Sequence, residues 1–340
     1  MNLLKPFVIK DTSIHTMGNQ LYKYLDIKMH HHIINKDFKK IIVVGVYDRD
    51  VDISHHEKKD KLFNWQRPTA EIDGHNLTIK CPPGKEYVMH YGSLIASYLA
   101  LNNRKFDQVY YLVPNEKECK QLILNSNLKD IKANKIVFIG YGLETISGKK
   151  RWHGKGPFLY THSKISGKKV TFIGCKHSLW GDIAGHVVKF MAKELGVKNI
   201  IYIGKLGSLD KNFTPNIFLA TGDTSYINGK IIKWNNLFTF IKNPLVKRGK
   251  HYTSPSPLLE TKEWLKKNKK FHFVDPEIGY MAEAAKESNI QFSYLHIISN
   301  NLGKKLKENL SNERSRTIIE KRKNLLLTIK SILENVVRRL

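Results

Sequence analysis

The residues best placed to do chemistry lie in one stretch and in two histidine runs upstream of it. Residues 168–209 read KKVTFIGCKHSLWGDIAGHVVKFMAKELGVKNIIYIGKLGSL: strand, glycine-containing loop, helix, strand, glycine-containing loop. Gly204 and Gly207 fall just beyond the carboxyl end of the second strand, where open α/β sheets bind ligands. Glycine there lets loop N–H groups come close to an anion or a sugar. No G-x-x-x-x-G-K-[ST] run occurs, so this is not the phosphate loop of the nucleoside triphosphatases. Cys175 and His177 offer a thiol and a base, but two residues apart on one loop is a poor arrangement for a nucleophile and its base. His30-His31-His32 and His55-His56-Glu57 carry metal-ligating side chains. Consecutive residues rarely converge on one ion, and no H-E-x-x-H occurs, so the expectation is solvated polar segments and no metal.

The elements that must position these groups alternate along most of the chain. Lys40–Val46, Gln108–Val113 and Lys135–Ile139 read as buried strands, each closed by Gly or Pro. Met89–Asn102 and about Asn115–Asn125 read as helices. Residues 146–167 (ISGKKRWHGKGPFLYTHSKISG) are a loop and hairpin region. Strand Lys169–Gly174, helix Asp182–Leu195 and strand Asn199–Gly204 follow. Ile217–Trp234 is β-rich, with Asn228-Gly229 as a hairpin turn. Phe271–Val274, a helix from about Glu277 to Ser288 and strand Tyr294–Ser299 complete the set. Apolar residues at three-and-four spacing between Asn312 and Leu340 predict a long basic amphipathic helix packed on the sheet. Alternating strands and helices predict an α/β protein with a mainly parallel sheet.

Composition sets the class. The chain has 340 residues, and 41 % of them are hydrophobic, enough for a sizeable core. Length predicts about two domains. No apolar run approaches the ~18–20 residues that span a bilayer, and the opening MNLLKPFVIKD lacks a signal-peptide pattern. Three widely spaced cysteines (Cys81, Cys119, Cys175) exclude a disulfide framework and fit a reducing compartment, so a cytoplasmic location is expected. Lys and Arg number 57 against 30 Asp and Glu, a net charge of +27. The lysines are spread out, as in Lys58–Lys59, Lys149–Lys150 and Lys266–Lys270, and form no single arm. Nucleic-acid binding through the C-terminal helix is possible but not favoured over a solvated basic surface.

The ordered set of pieces resembles the nucleoside phosphorylase and nucleosidase superfamily over about residues 135–340. The carrying residues are HGKGPFLYTHSKISGKKVTFIGC, His177-Ser178-Leu179-Trp180-Gly181, Gly204-Lys205-Leu206-Gly207-Ser208 and VDPEIGYMAEAAKESNIQFSYLHIISNNLG. The resemblance implies a three-layer C-terminal domain with a mixed sheet (135–340), preceded by a smaller α/β segment of unknown role (1–134). It implies cleavage of the N-glycosidic bond of a nucleoside or related compound, purine type favoured, by phosphorolysis or hydrolysis. It needs no cofactor beyond phosphate as a possible co-substrate.

Residue by residue, the resemblance gives Glu277 the ribose, where a carboxylate accepts hydrogen bonds from both vicinal hydroxyls. Pro276 replaces the methionine usual under the sugar. Asn300 takes the place of an aspartate that protonates the leaving base, with Asn301 as a register alternative. Gly204, Lys205 and Gly207 form the anion- or sugar-facing loop, and His177, Trp180 and Gly181 line the substrate pocket. Tyr202 stands where phosphorylases carry an arginine, and Glu144 where another is usual. Lys149, Lys150 and Arg151 are candidate replacements, whereas Gly45 and Arg49 have suitable spacing too early in the chain. A homo-oligomer is implied on the same ground. The alternative is a binding module that kept the pocket without turnover.

Overall fold

The chain is described by a computed structural model over residues 3–57, 59 and 61–340; Met1, Asn2 and Lys58 of the expectations above lie outside the described residues. Helices α1 (Gln20–Asp26) and α2 (His31–Asn35) precede strand β1 (Lys40–Val44). In β1, Ile41 and Val43 are fully buried and their neighbours are not, the two-residue period of a strand covered on one side. Strands β2 (Asp52–Ile53), β3 (Thr69–Asp73) and β4 (Asn76–Lys80) follow. After them come helix α3 (Lys85–Leu101), strand β5 (Val109–Tyr111) and helix α4 (Glu116–Leu124). Among the described residues the first sheet has the order β2-β3-β4-β1-β5. It is parallel across β4-β1-β5 and antiparallel across β2-β3-β4. The β3–β4 hairpin turns at Gly74, whose φ of +55° favours glycine; apolar periodicity had not marked it.

The second sheet takes β6 (Ile136–Gly140), β7 (Phe158–Ile165), β8 (Lys168–Cys175), β9 (Asn199–Ser208) and β10 (Leu219–Thr221). It continues with β11 (Thr224–Ile227), β12 (Lys230–Lys233), β13 (Val246–Arg248), β14 (His251–Thr253), β15 (Phe273–Asp275) and β16 (Gln291–Asn301). The core β8-β6-β9-β16 is parallel, as alternation predicts. β7, β10 and β15 run antiparallel to their neighbours β8, β16 and β9, so the sheet is mixed. Helix α5 (Leu143–Ser147) and the C-terminal helix α9 (Arg316–Arg339) cover one face; α6 (Asp182–Glu194) and α8 (Ile278–Glu287) cover the other. The short α7 (Lys262–Lys267) precedes β15. Leu325, Leu326, Ile329, Leu333 and Val336 of α9 are buried against the sheet, each contributing about 1.5–3 kcal/mol. The amphipathic stripe is therefore used for packing. No helix among the described residues is long and apolar enough to cross a membrane.

β9 changes partners along its length. Residues 199–203 pair with β6, while Gly207 and Ser208 pair with β15. A sheet that forks at a strand's carboxyl end leaves an opening at the fork.

Glu86, near the start of α3, ties that helix to α6 and α8. One of its carboxyl oxygens accepts the Asp182 N–H at 3.0 Å and the other accepts the Tyr280 hydroxyl. Burial, then the Asp182 charge, pushes the Glu86 carboxyl up to about 8 from an ordinary 4.5. A raised carboxyl stabilises the fold fully below pH 4.5, and that stability is lost as pH rises through 8. Glu86→Gln does not titrate. Urea unfolding at pH 5 and pH 8 is expected to show wild type losing about 2–3 kcal/mol more than the variant across that window.

Candidate functional site

The opening at the β9 fork is a cavity of about 150 Å³. Its floor comes from Tyr202, Gly204, Lys205, Leu206 and Gly207 of β9, its sides from Val274–Glu277 at the end of β15 and just beyond it, and from Ser299 and Asn300 of β16. The β9–β16 register shifts between Ile298 and Asn300, a bulge that re-aims side chains at the strand end. Asn300 then pairs with Gly207, where a Cβ would stand 3.1 Å from the Asn300 carboxamide nitrogen and 2.8 Å from Leu302. Glycine at 207 makes room for that carboxamide. Asn301, the register alternative, instead donates to the Asp210 and Phe213 carbonyls at 2.7 and 2.9 Å and holds a turn.

Glu277 sits at the start of α8. The helix is capped by Asp275, whose Oδ1 accepts the Glu277 and Ile278 N–H groups at 3.0 and 2.9 Å. Asp275 is buried between two fully buried histidines, with His251 Nε2 3.1 Å from Oδ1 and His296 Nε2 3.6 Å from Oδ2. Burial opposes ionisation of Asp275, but the two histidines outweigh it and hold its carboxyl well below the usual range. Burial and then the Asp275 charge push Glu277 the other way, well above the usual carboxylate range. The shifts of these two neighbouring carboxyls thus run in opposite directions, down for the cap and up for the acid facing the cavity. His251 Nδ1 is 2.9 Å from Ser225 Oγ, so a buried polar chain runs behind the site. None of Asp275, His251 and His296 was singled out in the sequence; they meet only because β14, β15, β9 and β16 are neighbours.

The far wall was not foreseen either. It comes from the N-terminal part of the chain: Tyr24, Lys28, Lys61, Phe63, Asn64 and Arg67. Loop 61–67 is tied across the cavity by backbone bonds, from Asn64 N to Cys175 O at 2.8 Å and from Trp65 N and Gln66 N to Lys176 O at 2.9 Å. Leu62 N donates to Glu144 Oε1 at 2.9 Å. Glu144, which stands where the resemblance places an arginine, anchors the loop that carries Lys61 and Arg67. Lys205 is paired with Glu313, from the segment before α9.

Of the other expected residues, Trp180 reaches the cavity edge, donating to Pro255 O at 2.9 Å and stacking on His90 at 4.4 Å. His177 and Gly181 do not line it. The loop turns His177 inward, between the ring edges of Tyr47 and Phe158. There burial lowers the imidazole to about 4 and pushes the Cys175 thiol up, which leaves both neutral. Gly181 (φ +61°) faces Glu86, where a Cβ would lie 2.0 Å from its carboxyl. Lys149, Lys150 and Arg151 are exposed and line no part of the cavity. Arg49 is paired with the buried Glu57. His30, His31 and His32 do converge, with ring nitrogens within 4.8 Å of one another, against the expectation for consecutive residues. His30 has both nitrogens engaged, by the His32 N–H and the Asp52 carbonyl.

No family model and no curated protein matches the chain. Among solved structures it is similar to the 5′-methylthioadenosine/S-adenosylhomocysteine nucleosidase of Campylobacter jejuni, at 12 % identity and TM-score 0.48. It is also similar to that of Neisseria meningitidis (13 %, 0.45) and to a futalosine hydrolase mutant of Helicobacter pylori (16 %, 0.45). Each match covers 60 % of this chain and 99 % of the other.

Proposed function

We propose that this protein cleaves the N-glycosidic bond of a nucleoside or a related compound, purine type favoured, with water or phosphate as nucleophile. One observation carries the reading: Glu277 and Asn300, from separate elements, line one cavity floored by Gly204–Gly207, which the sequence placed in a loop and the structure keeps in strand β9. Cleavage builds positive charge on the sugar and negative charge on the leaving base. Glu277 holds the ribose hydroxyls, and ionising it places negative charge beside the developing oxocarbenium ion. Asn300 donates a hydrogen bond to the base as its charge grows. Asp275, with His251 and His296 behind it, fixes the position of Glu277 through the first turn of α8. Gly207 keeps the space in which Asn300 can meet the base.

The test is incubation of the purified protein with a panel of purine and pyrimidine nucleosides and their 5′-monophosphates, with and without phosphate, and chromatography of the free base. Base release that is lost in Glu277→Ala supports the reading; no release from any compound removes it. A carboxamide at position 300 cannot pass a proton, which favours the binding-module reading as the second. Tight nucleoside binding by calorimetry without base release would establish that one.

A further inference from the structure

The proposed reaction leaves a set of buried cations without a task. The cavity at the β9 fork adjoins a second one of about 320 Å³, and both are lined by Lys61, Phe63, Tyr141, Lys205 and Glu313. The second cavity adds Arg314, Arg322 and Lys323, with Glu144 as the other carboxylate. Arg67, in the first cavity, is 7 % exposed, and its Nε has no hydrogen-bond partner among the described residues. Arg322, in the second, is 3 % exposed. Its Nε donates to Asn216 Oδ1 at 2.8 Å and its Nη1 to Glu313 at 3.3 Å, while Nη2 has no partner among the described residues.

Glu313 pairs with both Lys205 and Arg322. Burial opposes its ionisation, but Lys205, Arg322, Lys28 and Lys61 together hold it well below the usual carboxylate range. Glu144 is occupied in anchoring Leu62. Among the described residues Glu313 is the one carboxylate that lines both cavities, against Lys61 and Lys205 in both, Arg67 in the first and Arg322 in the second. Burial, then repulsion from Lys205 and Arg67, pushes Lys61 well below its ordinary value, the mark of a lysine short of counter-charge. Buried guanidinium groups with open N–H positions are suited to phosphate oxygens.

We propose that the substrate carries its own phosphate, so that the compound cleaved is a nucleotide, with the phosphate held by Arg67, Lys61, Lys205 and Arg322 at the junction of the two cavities. This deepens the reading above and rests on it for the placement of sugar and base. It assigns a role to the N-terminal part of the chain, whose loop 61–67 supplies two of these cations. The phosphate offers Arg67 Nε and Arg322 Nη2 the acceptors they lack, and it competes with Glu313 for Lys205.

Calorimetry with the full-length protein tests the proposal, using adenosine, adenosine 5′-monophosphate, and adenosine with inorganic phosphate as probes. The monophosphate is expected to bind about 100-fold more tightly than adenosine, since each charge-assisted contact adds roughly 10-fold or more. Arg67→Gln and Arg322→Gln should each weaken monophosphate binding about 10–100-fold, by far more than either weakens adenosine binding, so that the preference for the monophosphate falls. Lys61→Gln, at a more accessible position, covers the case in which a buried arginine variant does not fold. Equal affinity for the two ligands overturns the proposal. So does tightening by free phosphate to the level of the monophosphate, which would make the anion a separate co-substrate. The two ideas separate cleanly: selective monophosphate binding without base release leaves this site standing and removes the reaction. Adenosine cleavage without preference for the monophosphate does the reverse.

Discussion

Glu277→Ala is expected to lower kcat/KM for base release about 1,000-fold, with the unfolding midpoint little changed. The carboxyl group is proposed to make two hydrogen bonds to vicinal ribose hydroxyls. A bond to a charged group contributes about 1.5–3 kcal/mol, so losing two costs roughly 3–6 kcal/mol, or 10² to 10⁴ in rate. The pH dependence carries more information. Burial and Asp275 push the Glu277 carboxyl well above the usual carboxylate range, whereas the diol is held most strongly by the carboxylate. Binding in that form must therefore release a proton, and kcat/KM should rise with pH as the raised carboxyl ionises. Glu277→Gln reproduces the neutral form's one donor and one acceptor. It should lose the rising limb and match wild type only at the low-pH end of the profile. A Gln variant as active as wild type at high pH would show that no carboxylate takes part.

How much of this site could be read in the sequence follows from where its parts lie. Gly204, Lys205, Gly207, Glu277 and Asn300 were all legible and all line one cavity. They sit in the carboxyl-terminal half of a strand or just beyond one, and buried strands announce that region by an apolar run that stops at glycine or at a polar pair. The histidine chain behind Asp275 was not legible. His251, Asp275 and His296 come from strands made neighbours by the order of the sheet, which local periodicity does not encode. Lys61 and Arg67 were hidden for a similar reason. Their loop has no repeating pattern, and its position depends on bonds to the carbonyls of Cys175 and Lys176, more than a hundred residues away. The failure at His177 has the opposite cause. Closeness in sequence to Trp180 and to the glycine turn implied closeness to the ligand, yet an imidazole flanked by Tyr47 and Phe158 is better satisfied indoors. Strand-end residues are readable one at a time, whereas residues delivered by a distant segment become visible only when the backbone closes.

Asn300→Asp is expected to raise the rate of base release about 100-fold, because it would convert a hydrogen-bond donor into a proton donor. A positioned general acid contributes typically 10²–10⁴-fold. The surroundings favour the neutral form that such an acid needs: Asn300 is only 9 % exposed, and it shares the cavity with Asp275, which stays ionised. Burial and a nearby negative charge raise a carboxyl while Lys61, Lys205 and Arg67 of the same cavity lower it; burial prevails for Glu277 and Glu260 there, so the new acid should hold its proton near neutral pH and lose it as pH rises. The gain should therefore disappear on the alkaline side, where an ionised carboxylate at position 300 would also repel the departing base. Ser299 Oγ, which donates to Asn300 Oδ1 at 3.1 Å, can donate to the introduced carboxyl in the same way, so the exchange should cost little stability. Asn300→Ala serves as the reference, since it removes the hydrogen bond without adding a proton and should fall below wild type. If the Asn300→Asp variant binds nucleotide normally but releases base no faster than wild type, protonation of the base does not limit the reaction. The base would then sit elsewhere than against position 300.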